Sequence, residues 1–294
     1  MTNQSIDLVQ RAQRIRACAE SGDAAGMALL LAQCPGAPLS DSEDLGAAAE
    51  NGHLECVKLL ISVCDPKAGN SDALRFAAEN GHTECVRALI PVSDPTAANS
   101  DALGFAAENG HTECVKLLIP VSDPKALNSY ALRKAAENGH SECVRLLIPV
   151  SDPRAHQSHA LLAAAKYGHL ECVRQLIPVS DIDDQYPGPF MLAALRGNSE
   201  CALLLMPQTE FLILLSETLA GVLRAGDVQI AAAMLGREPL LLSGESLSLA
   251  LLAATSSGHE ELAGLLASIV DFRALSDIDA PARSSTAAPA PLRI

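Results

Sequence analysis

The stretch SDALRFAAENGHTECVRALIPVSDPTAAN, residues 71–99, decides the architecture of this chain. Leu74, Ala77 and Ala78 are spaced i, i+3, i+4, which is one face of a short helix. Ser71 is suited to cap its start, because a hydroxyl at that position can accept from an orphan backbone N–H. Asn80-Gly81 closes it, with glycine supplying the left-handed conformation after the last turn. Val86, Leu89 and Ile90 repeat the apolar spacing and predict a second helix, which Pro91 halts. Asp94-Pro95 then makes a turn. The stretch reads as helix, tight turn, helix, loop. Isolated helices shorter than ~12–15 residues are marginal in water, so each must bury its apolar face on a neighbour.

The neighbours are further copies of the same stretch. Gly-His recurs at Gly52-His53, Gly81-His82, Gly110-His111, Gly139-His140 and Gly168-His169, in steps of 29 residues. Gly197 and Gly226 keep the interval, with Asn198 and Asp227 in place of histidine, while Gly22 and Gly258-His259 extend it at slightly longer spacings. Ser42, Ser71, Ser100, Ser129, Ser158, Ser216 and Ser248 hold a matching register. About nine units are expected between residues 12 and 272. Stacked side by side they give an all-α helix-turn-helix solenoid. Residues 1–11 are expected to form a leader, and the Ala-, Pro-, Ser- and Thr-rich residues 273–294 a disordered tail.

The pattern Ala-Leu-x-x-Ala-Ala-x-x-Gly-His-x-x-Cys-Val-x-x-Leu-Ile resembles the ankyrin repeat, with its Thr-Pro-Leu-His-x-Ala-Ala opening, Gly-His turn and Val-Val and Leu-Leu pairs. The resemblance implies the ankyrin fold and a protein-binding role. Here Ser71-Asp72-Ala73-Leu74 stands where the Thr-Pro-Leu-His opening would be. The usual period is ~33 residues, so the unit is short by about four, which belong in the loop. The projecting β-turn finger is therefore expected to be reduced or replaced by the Ser-Asp-Pro turn. A plain αα-solenoid is the structural alternative.

Composition narrows the partners. The 294 residues are 49% hydrophobic but only 3% aromatic, so the core is aliphatic and small-residue. Asp and Glu number 35 against 21 Lys and Arg, a net charge of −14. Such a chain repels phosphate backbones and anionic lipid, which argues against nucleic-acid and membrane partners. No apolar run approaches the ~18–20 residues of a membrane span. The polar start shows no secretion signal, and a cytoplasmic monomer is expected, with signal-independent export left open.

Nine cysteines and eight histidines invite a search for chemistry. Cys56, Cys85, Cys114, Cys143, Cys172 and Cys201 form a ladder of the repeat period. Stacked helices lie about 8–10 Å apart, whereas disulfide Cα atoms lie within about 4.4–6.8 Å, so these cysteines read as reduced core residues. Cys64 occupies the place of Ser93, Ser122, Ser151 and Ser180 and is expected to be the most exposed thiol. The same spacing opposes a metal array of His53, His82, His111, His140 and His169. The ankyrin resemblance implies instead that this histidine bonds to backbone at the turn. His156 and His159, three residues apart, are the remaining metal candidate. Glu55, Glu84, Glu113, Glu142 and Glu171 precede Lys58, Arg87, Lys116, Arg145 and Arg174 by three, a solvated ion-pair stripe. No phosphate-cradling loop or nucleophile–base motif is visible, so no catalytic residue, metal or cofactor is assigned.

Structural positions repeat among the copies, whereas binding positions are free to differ. The second residue of the first helix runs Asp72, Asp101, Tyr130, His159. A later pair runs Arg75-Phe76, Gly104-Phe105, Arg133-Lys134, Leu162-Ala163, and the loop runs Lys67, Thr96, Lys125, Arg154. In an ankyrin-like stack these residues line the concave face. Arg75, Phe76, Asp101, Phe105, Tyr130, Arg133, Lys134, Arg154 and His159 are therefore the expected partner-binding strip, with aromatic anchors beside a basic patch. Phe76 and Phe105 could equally fill space between helices. The expected function is a protein–protein interaction scaffold. The alternative is an inhibitor, immunity or secreted-effector protein masking a target's active site, which near-identical copies also suit.

Overall fold

The computed structural model describes residues 3–33, 43–182, 188–206, 218–219, 221–223, 225–237, 244–256 and 258–279. Helix pairs follow one another: α1 (Asn3–Ser21) and α2 (Ala24–Ala32), α3 (Glu43–Glu50) and α4 (Leu54–Ile61), α5 (Ala68–Glu79) and α6 (Thr83–Leu89). Then come α7 (Ala97–Glu108) and α8 (Thr112–Leu118), α9 (Ala126–Glu137) and α10 (Ser141–Leu147), α11 (Ala155–Tyr167) and α12 (Leu170–Leu176), and α13 (Pro189–Leu195) and α14 (Ser199–Leu205). Beyond them lie α15 (Val228–Arg237), α16 (Gly244–Ser256) and α17 (Glu260–Asp279). No strand occurs among the described residues.

The chain divides into two compact units, Met1–Thr209 and Glu210–Ile294. In the first, odd-numbered helices stack on odd-numbered ones from α1 to α13, and even-numbered on even-numbered from α2 to α14. Two helical layers result, with the core between them. In the second, α17 packs on α15 and α16, and Gly226 and Gly258 keep the turn conformation at φ +75 and +76. The expected leader is continuous with the first helix, because α1 begins at Asn3. Part of the expected tail is helical, since α17 runs to Asp279, and residues 280–294 lie outside the described residues.

The predicted apolar faces are buried except for Ile90, which is only half-buried because the second helix ends at Leu89, and Cys85 fills the face in its place. Leu74, Ala77 and Ala78 from α5 and Cys85, Val86 and Leu89 from α6 are all within 1% of fully buried, as are their equivalents at 103–118 and 132–147 apart from no more than a trace. Burying each larger aliphatic side chain stabilises the stack by roughly 1.5–3 kcal/mol. The paired alanines let backbones approach closely.

Two hydrogen-bond ladders join the repeats. At the tight turn, His53, His82, His111, His140 and His169 reach the carbonyl oxygens of Glu20, Glu50, Glu79, Glu108 and Glu137 at 2.9–3.1 Å. A carbonyl only accepts, so Nε2 carries the proton. Each imidazole covers the glycine of the repeat before it: a Cβ on Gly110 would sit 2.5 Å from His140 Nδ1. Asn198 substitutes for histidine, its Nδ2 donating to Lys166 O at 2.8 Å.

At the other end the structure corrects the expected role of Ser71. Gly69, Asn70 and Ser71 are all left-handed, at φ +61, +59 and +62, and right-handed helix begins only at Asp72. The Ser71 hydroxyl does not cap this helix. It accepts from the backbone N–H of Asp94, in the following loop, at 2.9 Å. Ser100, Ser129 and Ser158 serve Asp123, Asp152 and Asp181 in the same way at 2.9 Å. Ser93 Oγ adds a bond to Pro66 O at 3.3 Å, copied by Ser122 and Ser151. The Ser-Asp-Pro loop and its left-handed turn thus occupy the place where a finger would project.

Candidate partner-binding face

The variable residues of α5, α7, α9 and α11 come from equivalent positions in stacked helices, so the fold brings most of them together. Phe76 packs its ring against Gly46 of the preceding repeat, where a Cβ would lie 3.4 Å from Phe76 Cδ2. The Arg75 guanidinium lies over this ring, 4.1 Å from its centroid, and 5.6 Å from that of Phe105 in the next repeat. Arg75 also pairs with Asp72 at 2.9 Å and Glu79 at 3.2 Å. Both phenylalanines are half-buried, so they seal the joints between helices and also present surface.

A second cluster forms around Tyr130. Its ring lies on Gly104, so closely that a Cβ there would be 2.8 Å from Tyr130 Cδ1. Its hydroxyl donates to Glu108 at 3.3 Å, and burial followed by the Glu108 charge pushes its pKa up. Asp101 is half-buried and adds its negative charge to the Tyr130 environment. Lys134 pairs with Glu137 at 3.1 Å and Glu108 at 3.3 Å. Burial works against the ammonium charge, but these two carboxylates hold its pKa above the usual value. Arg133 and Lys134 each stand 5.9 Å from the Tyr130 centroid. In α11 the His159 ring lies 5.4 Å from that of His156. Burial, then the charges of Arg133 and His156, lower the His159 pKa.

The basic patch expected beside the aromatics is largely neutralised. Arg75 and Lys134 are held by carboxylates of their own face. Arg154 lies in the loop and pairs with Asp181 of the following loop at 3.2 Å, instead of joining the Tyr130 cluster. Sequence reasoning missed the neutralising residues Glu79, Glu108 and Glu137, because they recur unchanged and read as structural. It also gave Gly104 no role, although a glycine standing between Arg75 and Arg133 in register was the signal that a ring from the next repeat lies there.

The ladder cysteines and the outer charge stripe fall where the sequence placed them. The ladder cysteines are buried and unpaired, and burial pushes Cys85 and Cys172 up to about 11. Cys64, expected to be the most exposed thiol, is half-buried like Cys18, and burial pushes it up to about 11 as it does Cys85 and Cys172, which makes it a weak nucleophile. Cys34 lies outside the described residues. Lys58 pairs with Glu55 at 2.7 Å and Lys116 with Glu113 at 2.6 Å, on the exposed face of the second helices. Among the described residues no group of three or more His, Cys, Asp or Glu is placed to hold a metal ion, and no helix is long and apolar enough to cross a membrane.

A family model described as ankyrin repeats (3 copies) matches this chain four times, over residues 16–99, 45–128, 103–186 and 132–213. Among solved structures, the crystal structure of the human ASB11 ankyrin repeat domain is similar at 25% sequence identity and a TM-score of 0.52, covering 57% of this chain and 84% of that one. No curated protein matches.

Proposed function

The chain belongs to the ankyrin-repeat family, whose repeats are protein–protein interaction modules, and from that premise we propose that it is a scaffold gripping a partner protein through the face carried by α5, α7, α9 and α11. One observation carries the reading. The core positions of these helices are nearly identical from repeat to repeat, whereas the outward positions change from Asp72, Arg75 and Phe76 to Tyr130, Arg133 and Lys134 and then to His159. The changed residues are half-buried and anchored by ring and ion contacts, so their geometry is set before a partner arrives. Pre-set aromatic and arginine side chains lose little freedom on binding, which is why they dominate interface energies. Binding on such a surface needs complementarity alone, and no bond is made or broken. Ankyrin-repeat proteins are typically non-enzymatic scaffolds, and this chain is read as one of them.

The test is capture of partners with the full chain, identified by mass spectrometry, then repeated with Phe76→Ala/Phe105→Ala and with Tyr130→Ala/Arg133→Ala/Lys134→Ala. The expected result is loss of the captured protein, by tenfold or more for truncated anchors worth about 2 kcal/mol or above. Equal capture by all three chains removes this face from the function.

A further inference from the structure

Arg75 and Arg133 occupy the same register position, two repeats apart. Arg75 has its own carboxylates, Asp72 three residues before it and Glu79 four after. At Arg133 the residue three before is Tyr130, and the one four after, Glu137, is held by Lys134. No carboxylate pairs with Arg133 among the described residues, and its Nε is buried without a hydrogen-bond partner. The next repeat repeats the deficit. His159 stands where Asp72, Asp101 and Tyr130 stand, and its Nδ1 is also buried and unpartnered. Lys166 stands where Glu79, Glu108 and Glu137 stand, and donates to the Tyr167 hydroxyl at 3.2 Å. The charges of Arg133, His156 and Lys166 act on His159 in one direction and that of Glu137 in the other, so Arg133, His159 and Lys166 share one neighbourhood. Of the two positions whose carboxylates balance Arg75 at α5, α9 keeps only Glu137, which Lys134 holds, and α11 keeps neither, with His159 and Lys166 in their places.

Resting on the face assigned above, we infer that the Arg133–His159–Lys166 end of it takes an acidic segment of the partner protein, with one Asp or Glu carboxylate seated beside Arg133 as Asp72 is seated beside Arg75. A buried donor without a partner costs free energy that a carboxylate removes, and the planar guanidinium fork matches a carboxylate in particular. The arrangement also selects. The body of the chain is acidic, so an acidic segment is repelled elsewhere and accepted here.

A random peptide library displayed on phage and panned on the full chain tests this. The expected peptides share an Asp or Glu at one position. The affinity of a selected peptide falls about tenfold or more with Arg133→Gln and by a similar factor when its acid is changed to the amide, without additivity between the two changes. Tyr130→Asp supplies Arg133 with the internal carboxylate that Arg75 has, and weakens the same peptide. Melting curves of each variant report that it is folded. Selected peptides without a shared acid, or additive losses in the cycle, overturn the inference. If such peptides still lose binding with Phe76→Ala/Phe105→Ala, the face stands and only its acidic preference falls. Peptides indifferent to every change on the face, or no enrichment at all, overturn both.

Discussion

At the tight-turn end of the first six helix pairs, from Gly22 to Gly168, one glycine at φ between +74 and +80 lies under the imidazole, or at Gly168 the amide, of the next repeat. At the loop end of the four middle pairs, three residues in succession are left-handed, and only the first of these loops begins with glycine. Ala98, Leu127 and His156 hold the position of Gly69 in the others, at φ +48, +49 and +52. A left-handed conformation costs a residue with a Cβ roughly 1–2 kcal/mol. The turn avoids that cost by residue choice. The loop accepts it and offsets it with hydrogen bonds to the following repeat, the Asp N–H donating to Ser Oγ in all four loops and the next Ser Oγ donating to the Pro carbonyl in the first three. The turn is therefore specified locally, and the loop only by the stack.

The largest expected effect tests the turn. Gly110→Ala places a Cβ at φ +75 and 2.5 Å from His140 Nδ1, so the ring must leave its 2.9 Å bond to Glu108 O. The strain and the lost bond together predict a loss of about 3 kcal/mol in urea unfolding. Gly197→Ala is the control. It has φ +74, with no described atom within 4 Å of an added Cβ, and carries the backbone strain alone, ~1–2 kcal/mol. Equal losses at the two glycines would break the coupling claimed between glycine and ring.

The next effect tests the loop. Ser100 is 4% exposed and accepts from Asp123 N–H at 2.9 Å. Ser100→Ala leaves that donor unpaired and predicts a loss of about 1–2 kcal/mol. Hydrogen exchange at Asp123, in the next repeat, is expected to accelerate with it. A change confined to residues around Ser100 would mean that the loop is held by its own chain segment.

The same contrast explains what was legible in the sequence. The helices, the Gly81 turn and the Glu55–Lys58 pair each follow from spacings of four residues or fewer, where helix geometry fixes who meets whom, and the buried Cys85 followed from the period of the ladder it belongs to. That the histidine bonds to backbone at the turn came from the ankyrin resemblance, and the structure bears this out while placing the acceptor carbonyl in the preceding repeat. Ser71 was misread because its partner, Asp94, lies in the next repeat, and a serine before a helix has a good local role available. The left-handed run was invisible because Ala98, Leu127 and His156 contradict local preference. On the proposed binding face, Phe76, Tyr130 and Arg133 stood out by differing among the copies. Glu108 and Glu137, which decide which of those cations remain free, did not differ and so gave no signal.

The smallest effect has the opposite sign and sets the loop against its own first copy. Leu127 is left-handed and 51% exposed, so its side chain contributes little packing. Glycine already stands at the equivalent residue 69 with φ +61. Leu127→Gly removes the Cβ penalty but adds chain entropy to the unfolded state, ~0.5–1 kcal/mol. The difference predicts a gain of about 0.5–1 kcal/mol, read as a higher urea midpoint at unchanged slope. A loss of that size would mean that the exposed leucine is held by contacts strong enough to favour the left-handed turn, and that the loop, like the turn, is specified by its own residues.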